Sequence, residues 1–213
     1  MESHKITPEK IRRVVREVLD EALGGGARPA GRPRGPGDAG APGKETGKAD
    51  ASVAAAARGK AKTRGSCVLA IGADHGGFAF KELLKKYLEQ ELELIVKDCG
   101  THGPESVDYP DFALAVARAV ASGECERGIV IDTMGIGSSI AANKVRGIRA
   151  ALCHDVATAK NSRAHNDANV LALGSRVVNS GHARRIVREW LATPFEGGRH
   201  AKRVQKIVDA ERS

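Results

Sequence analysis

The chain has 213 residues, a formal net charge of +8 and only 3% aromatic residues. That length holds one ordinary α/β domain and an appendage. The charge does not point to nucleic acid: residues 1–66 carry 14 Lys/Arg against 8 Asp/Glu, residues 67–213 carry 20 against 18, and so few aromatics leave little for bases to stack on.

No apolar run approaches the ~20 residues of a membrane span. No apolar signal core lies near Met1 either. Cys67, Cys99, Cys125 and Cys153 are widely spaced, without a CxxC pair, which suits reduced thiols better than zinc or disulfides. These readings together predict a cytoplasmic protein with neither a nucleic-acid nor a membrane partner.

In residues 6–23 the apolar Ile11, Val14, Val15, Val18, Leu19 and Ala22 recur at three- and four-residue steps, predicting an amphipathic helix. Thr7 and Pro8 suit its N-cap and first turn, and Gly24-Gly25-Gly26 ends it. Residues 24–66 follow as a linker; 13 of the 26 residues 24–49 are Gly or Pro, too few apolar groups to offset the entropy of ordering. A helix on such a leash reads as a docking module for a partner's groove.

From residue 67 to 213 the pattern alternates. Strands are predicted at 68–71, 92–96, 128–131, 148–152 and 170–173. Helices are predicted at 76–89, 109–121, from Ser138, at 155–165 and 180–191, with a last basic helix at 198–211. Five strands alternating with helices predict an α/β three-layer sandwich around a parallel sheet. Ligands then sit beyond the carboxyl ends of the strands, at the switch point in strand order.

Two strand ends break into small residues that carry an acid: Gly72-Ala73-Asp74-His75-Gly76-Gly77 and Ile131-Asp132-Thr133-Met134-Gly135-Ile136-Gly137-Ser138-Ser139. Glycine lets the backbone approach a ligand closely, and N–H groups at such a turn suit a phosphate or a developing oxyanion. His165-Asn166-Asp167-Ala168-Asn169 lies at a helix end before a strand, which is read as again on the functional edge; an imidazole there serves as acid or base near neutrality. His75, His102, His154, His165 and His200 all have polar neighbours, which predicts exposed rather than core rings. Arg199 and Arg203 stand one turn apart at a helix start, a spacing that suits a phosphate monoester.

ADHGG at 73–77, VDYPDFA at 107–113, GIGSSIAANKVRGIRAALCHD at 135–155, HNDANVLALGSRVV at 165–178 and FEGGRHAKRV at 195–204 resemble the ribose-5-phosphate isomerase B and galactose-6-phosphate isomerase family across nearly all of residues 68–208. The resemblance implies a Rossmann-like fold with strand order 2-1-3-4-5. It implies a homodimer or homotetramer with active sites at subunit interfaces, and metal-independent, cofactor-free interconversion of phosphorylated aldoses and ketoses through an enediolate.

Carried across by position, Asp74, His75 and Tyr109 contact the sugar. His165 assists ring opening, with Asn166 beside it. Arg199, His200 and Arg203 hold the phosphate, and the backbone at Gly135, Ile136, Gly137 and Ser138 faces the enediolate. In the ribose-5-phosphate isomerase B pattern the third strand ends in Cys-Gly-Thr-Gly, with the cysteine removing the C2 proton. Here Asp132-Thr133-Met134-Gly135 stands in that stretch, so Asp132 is the candidate base. Asp132 with Ser138 resembles the A subunit of galactose-6-phosphate isomerase, which works beside a cysteine-bearing partner. A hetero-oligomeric isomerase and a non-catalytic phosphosugar-binding protein therefore stand as alternatives. The front helix resembles the encapsulation peptides of bacterial microcompartments, which implies a shell protein as its partner.

Overall fold

The computed structural model describes residues 67–211. The helix expected at 6–23 and the linker at 24–66 lie outside the described residues. In order come β1 (Cys67–Ala73), α1 (Phe78–Lys86, continuing as a π-helical turn Tyr87–Glu91), β2 (Val96–Asp98), α2 (Tyr109–Ala121), β3 (Cys125–Asp132), α3 (Ile136–Ala142), β4 (Ala150–Leu152), α4 (Val156–Asn166), β5 (Val170–Gly174), α5 (Ser180–Ala192) and α6 (Arg199–Ala210). All five strands are parallel.

Period-two alternation sorts the strand side chains onto two faces. Leu69, Ile71, Ile129, Ile131, Leu171 and Leu173 point to one face, where Leu84, Leu88, Ala159, Ile186 and Trp190 from α1, its π turn, α4 and α5 complete the core. Ala70, Val130, Val170 and Ala172 point to the other, under Val116, Ala117, Val120 and Ala142 of α2 and α3. This second face is lined by small residues, so α2 sits close to the sheet. A Cβ on Gly128 would lie 2.5 Å from Val116 Cγ1, closer than packed atoms tolerate.

The sheet order is 2-1-3-5-4, not the expected 2-1-3-4-5. Burial explains the exchange. β5 is a five-residue strand buried throughout, while β4 has three half-buried residues. A short strand suits an edge, and a wholly apolar one belongs inside. Right-handed crossovers tie each helix's side to the direction of travel. The chain therefore moves outward from β3 to β4 over α3, then turns back to β5 over α4, which lands beside α5 on the face that α1 also covers, not on the face of α2 and α3.

The second strand begins at Val96 rather than at residue 92. Residues 92–95 finish the helix end instead: Leu92 N–H donates to Tyr87 O at 3.1 Å, Leu94 N–H donates to Leu88 O at 2.9 Å, and Leu94 is buried. Lys81 is fully buried, with its ammonium on both Asp98 carboxylate oxygens at 2.7 and 2.9 Å and on Thr101 O at 2.8 Å. Burial alone would raise the Asp98 pKa, but the Lys81 and Lys85 ammonium groups outweigh it and hold it below the ordinary carboxylate value. Cys99, Cys125 and Cys153 form no disulfide.

Candidate active site

The candidate residues fall into two groups at opposite edges of the sheet. The first lies beyond the carboxyl ends of β1 and β3, which are neighbours. From β1 the chain leaves toward β2 over one face, and from β3 toward β4 over the other, so this is the switch point.

Asp74 is buried there; its Oδ1 accepts Gly77 N–H at 2.9 Å, and its own N–H donates to Ile131 O at 3.3 Å. His75 is exposed, with Nδ1 3.2 Å from both the nitrogen and the oxygen of Val107. Tyr109, at the start of α2, lies over Gly137, where a Cβ would come within 2.6 Å of its ring. The segment after β5 closes the floor: Ser175 Oγ donates to Gly76 O at 2.8 Å, and Ser175 N–H donates to Asp132 O at 2.9 Å.

The turn after β3 is built around its own acid. Gly135 adopts φ 79° and caps α3, a left-handed conformation that glycine reaches without a Cβ clash. The turn thereby aims its N–H groups inward as an anion nest. Asp132 fills that nest. Its Oδ1 accepts Met134 N–H at 2.7 Å and also Gly135 N–H, and its Oδ2 accepts Ser138 N–H at 2.8 Å. Asp132 is 6% exposed. The donors that suit an enediolate oxygen are thus engaged by the chain's own carboxylate. Sequence reading placed the acid and the N–H groups in one turn but did not foresee that they bind each other.

The second group lies at the amino edge. β5 runs from Val170, opposite Gly128, to Gly174, opposite Asp132; four residue steps span about 13 Å. The turn entering β5 therefore sits at the far side from Asp132, not on the same functional edge as expected, because a helix-to-strand turn of a parallel sheet lies at the amino ends of the strands. Within His165–Asn169 the labour divides. Asp167, in a left-handed conformation at φ 48°, accepts from Arg163 and Arg149 at 2.8 Å each. Asn169 accepts Arg149 N–H at 2.8 Å and donates to Gly147 O at 2.9 Å. Those residues hold the turn, while Asn166 is exposed and His165 is half-buried.

His165 stacks on His200, with ring centroids 4.1 Å apart and planes within 2°. The segment before α6 is tied to α4 by Glu196 N–H on Ala164 O at 3.0 Å. Arg199 Nε donates to His200 Nε2 at 3.3 Å, and Arg199 and Arg203 are both exposed. His200 was expected on the surface and is instead 6% exposed, because the His165 ring covers it. Burial first, then His165, Arg199 and Arg203, push its pKa below the ordinary imidazole value. Two other side chains join the group: Glu196, expected only to pair locally with the basic helix start, and Asn161, which sequence reading missed. Glu196 Oε2 lies 3.4 Å from His165 Nε2 and 3.9 Å from His200 Nε2, and the Asn161 side-chain amide lies 2.8 Å from His165 Nδ1. The i,i+4 spacing of Asn161 and His165, and of Glu196 and His200, was the available signal.

One chain thus brings Asp74, His75, Tyr109 and the Asp132–Ser138 turn together. It brings His165, Asn166, Arg199 and His200 together separately, with Arg203 one turn further along α6. The family model described as Ribose/Galactose Isomerase matches residues 69–207. The chain belongs to the ribose/galactose isomerase family. It is similar to a solved ribose-5-phosphate isomerase B of Clostridium thermocellum, with 57% identity, a TM-score of 0.67, and coverage of 68% of this chain and 97% of that one. It is 49% identical over 144 residues to ribose-5-phosphate isomerase B of Escherichia coli, covering 67% of this chain and 95% of that protein. It is 44% identical over 139 residues to D-erythrulose-4-phosphate isomerase of Pectobacterium atrosepticum, covering 65% and 91%. This family's α/β fold is the one described above.

Proposed function

We propose that this isomerase interconverts an aldose phosphate and a ketose phosphate of the ribose 5-phosphate/ribulose 5-phosphate type through an enediolate, at a site composed from two chains. The chemical class comes with the family. The observation that carries the composite site is the separation of the two residue groups. A phosphopentose does not bridge opposite edges of one sheet, whereas two copies related by a two-fold axis bring the carboxyl edge of each to the amino edge of the other. Tyr109, Met134, Ile136 and Ile140, exposed at 41, 48, 52 and 58%, form an apolar rim beside the first group, as an interface core requires.

In this arrangement Asp74, His75 and Tyr109 hold the sugar of one protomer's site. His165 of the partner subunit works on ring opening with its Asn166 nearby, and the partner's Arg199, His200 and Arg203 take the phosphate. Asp132 removes the C2 proton through Oδ2, the oxygen that carries a single N–H donor, and returns it at C1. Departure of the Asp132 side chain from the nest frees the N–H groups of Gly135 and Ser138 for the enediolate oxygen.

A coupled assay with ribose 5-phosphate, run on the wild type and on Asp132→Asn, tests the reading. Turnover in the wild type with a loss of at least about 100-fold in the variant is expected for a lost proton-transfer group. Equal rates would remove Asp132 from the mechanism, and no turnover of any pentose or tetrose phosphate would end the reading. The residue 6–23 segment adds a docking function toward a microcompartment shell: deleting residues 1–24 leaves turnover unchanged and abolishes co-localisation with shell protein.

A further inference from the structure

The carboxyl-edge group is flanked by a buried charge that the isomerase chemistry does not use. The Lys81 side chain is 0% exposed, and its ammonium donates to both Asp98 carboxylate oxygens at 2.7 and 2.9 Å and to Thr101 O at 2.8 Å. An ammonium has three protons, and these partners take them all. Glu82 Oε1, at 3.1 Å, adds a second negative charge. Lys81 is therefore engaged too fully to act as a base or nucleophile toward a sugar. Taking such a charge out of water is costly, and a well-packed apolar side chain would serve stability as well. Its role lies in what it holds.

It holds the carbonyl of Thr101, in the loop between β2 and α2. Around that carbonyl two loops of the candidate site are laced together. Ala73 N–H donates to Gly100 O at 2.7 Å and Thr101 N–H donates to Ala73 O at 2.5 Å, directly before Asp74. Gly100 N–H donates to Asp98 Oδ1 at 3.0 Å. On the other side Lys81 N–H donates to Gly77 O at 2.8 Å, and Gly77 N–H to Asp74 Oδ1 at 2.9 Å. Further along the loop His102, Pro104, Glu105 and Ser106 are exposed. Val107 then meets His75 Nδ1, and Tyr109 opens α2. Lys81 thus joins the turn that carries Asp74 and His75 to the loop that delivers Val107 and Tyr109. Lys85 shares Asp98, at 2.8 Å to Oδ2, but among the described residues it bonds no carbonyl of this loop.

We propose that Lys81 is a positioning residue for the isomerisation: through Thr101 O it sets the β2–α2 loop, and with it His75 and Tyr109, in the geometry that binds the sugar. The effect on turnover rests on the assignment of those two residues to sugar binding; the hold on the loop does not.

The test compares Lys81→Met, the double variant Lys81→Met/Asp98→Asn, and Lys85→Met, each in the full-length protein. Lys81→Met alone leaves a carboxylate short of its partner and is the variant at risk of misfolding. The double variant removes one charge of each sign, and the asparagine oxygen still accepts Gly100 N–H, so the donor to Thr101 O is the interaction lost. Lys85→Met weakens the same ion pair without touching the loop. Circular dichroism checks each fold. In the double variant KM for ribose 5-phosphate should rise at least about tenfold with little change in kcat. Amides of residues 102–108 should exchange with deuterium at least about tenfold faster. Lys85→Met should match the wild type in both. Wild-type KM and wild-type exchange in the double variant, or an equal KM rise in Lys85→Met, overturn the proposal. Faster exchange with an unchanged KM overturns the link to the sugar and leaves Lys81 a scaffold residue. Absence of turnover in the wild type bears on the isomerase reading, and the exchange measurement then decides whether Lys81 holds the loop.

Discussion

The carboxyl-edge and amino-edge groups solve the problem of holding polar side chains in different ways. At the carboxyl edge backbone does the holding: Asp74 and Asp132 are fixed by N–H groups of their own turns, and the loops belong to strands buried at the centre of the sheet. At the amino edge side chains hold side chains: Asp167 is gripped by two arginines and His165 stacks on His200. Backbone turns hold an acid rigidly, whereas ring stacks and guanidinium groups leave side chains room to adapt. A single chain keeps the two groups apart, and in the proposed two-chain site the work is divided between them.

The sharpest way to break this picture is complementation. Asp132→Asn and His165→Asn each abolish activity alone. If each site draws one group from each chain, mixing and reassembling the two variants restores about a quarter of wild-type turnover, the share of intact sites in randomly paired dimers. No recovery would place both groups in the site of one chain.

A second test separates chemistry from scaffolding within the carboxyl-edge group. Asn at position 132 turns an amide N–H₂ toward at least one backbone N–H of the nest. The mismatch costs about 1–3 kcal/mol of stability, read as a lower urea midpoint. A large rate loss with an unchanged midpoint would show that Asp132 serves reaction only.

Gly137→Ala probes the same edge more gently. The new methyl meets the Tyr109 ring at 2.6 Å, and displacing that ring raises KM with little change in kcat. The overpacking cost is about 1–3 kcal/mol.

The smallest effect concerns the amino edge and pH. The folded-state pKa of His200 lies below its unfolded value, so the unfolded chain takes up the proton first. The stability this histidine contributes is present above the ordinary imidazole pKa and is lost as pH falls through it. His200→Asn therefore flattens the melting temperature between pH 7.5 and 5. Asp98 has the same sign lower down, its contribution fading below the ordinary carboxylate pKa. A wild-type curve flat across both ranges would contradict both assignments.

Much of this organisation was legible in the residues. Apolar runs closed by Gly and Asp located β1, β3 and their turns, because a buried parallel strand and a tight exit leave a plain mark. The order of β4 and β5 was not legible. It depends on which face α4 covers, and that helix buries only small or polar residues, Ala159, Ser162, Arg163 and Ala164, so its periodicity names no face. His200 looked exposed because its chain neighbours are polar; the ring that buries it comes from residue 165. The two edges were legible and were misread: in a parallel sheet every helix-to-strand turn lies at the amino edge, so the order of elements already set residues 165–169 apart from the turns after β1 and β3.

The occupied turn after β3 has one consequence for affinity. An anion arriving there does not meet vacant donors; it trades places with a carboxylate already seated. Recognition at that turn is a substitution, and its measured strength is the difference between two anions competing for the same three amides. Shortening the resident acid, as in Asp132→Ala, should therefore turn the loop into a scavenger of inorganic phosphate or sulfate that the native protein ignores.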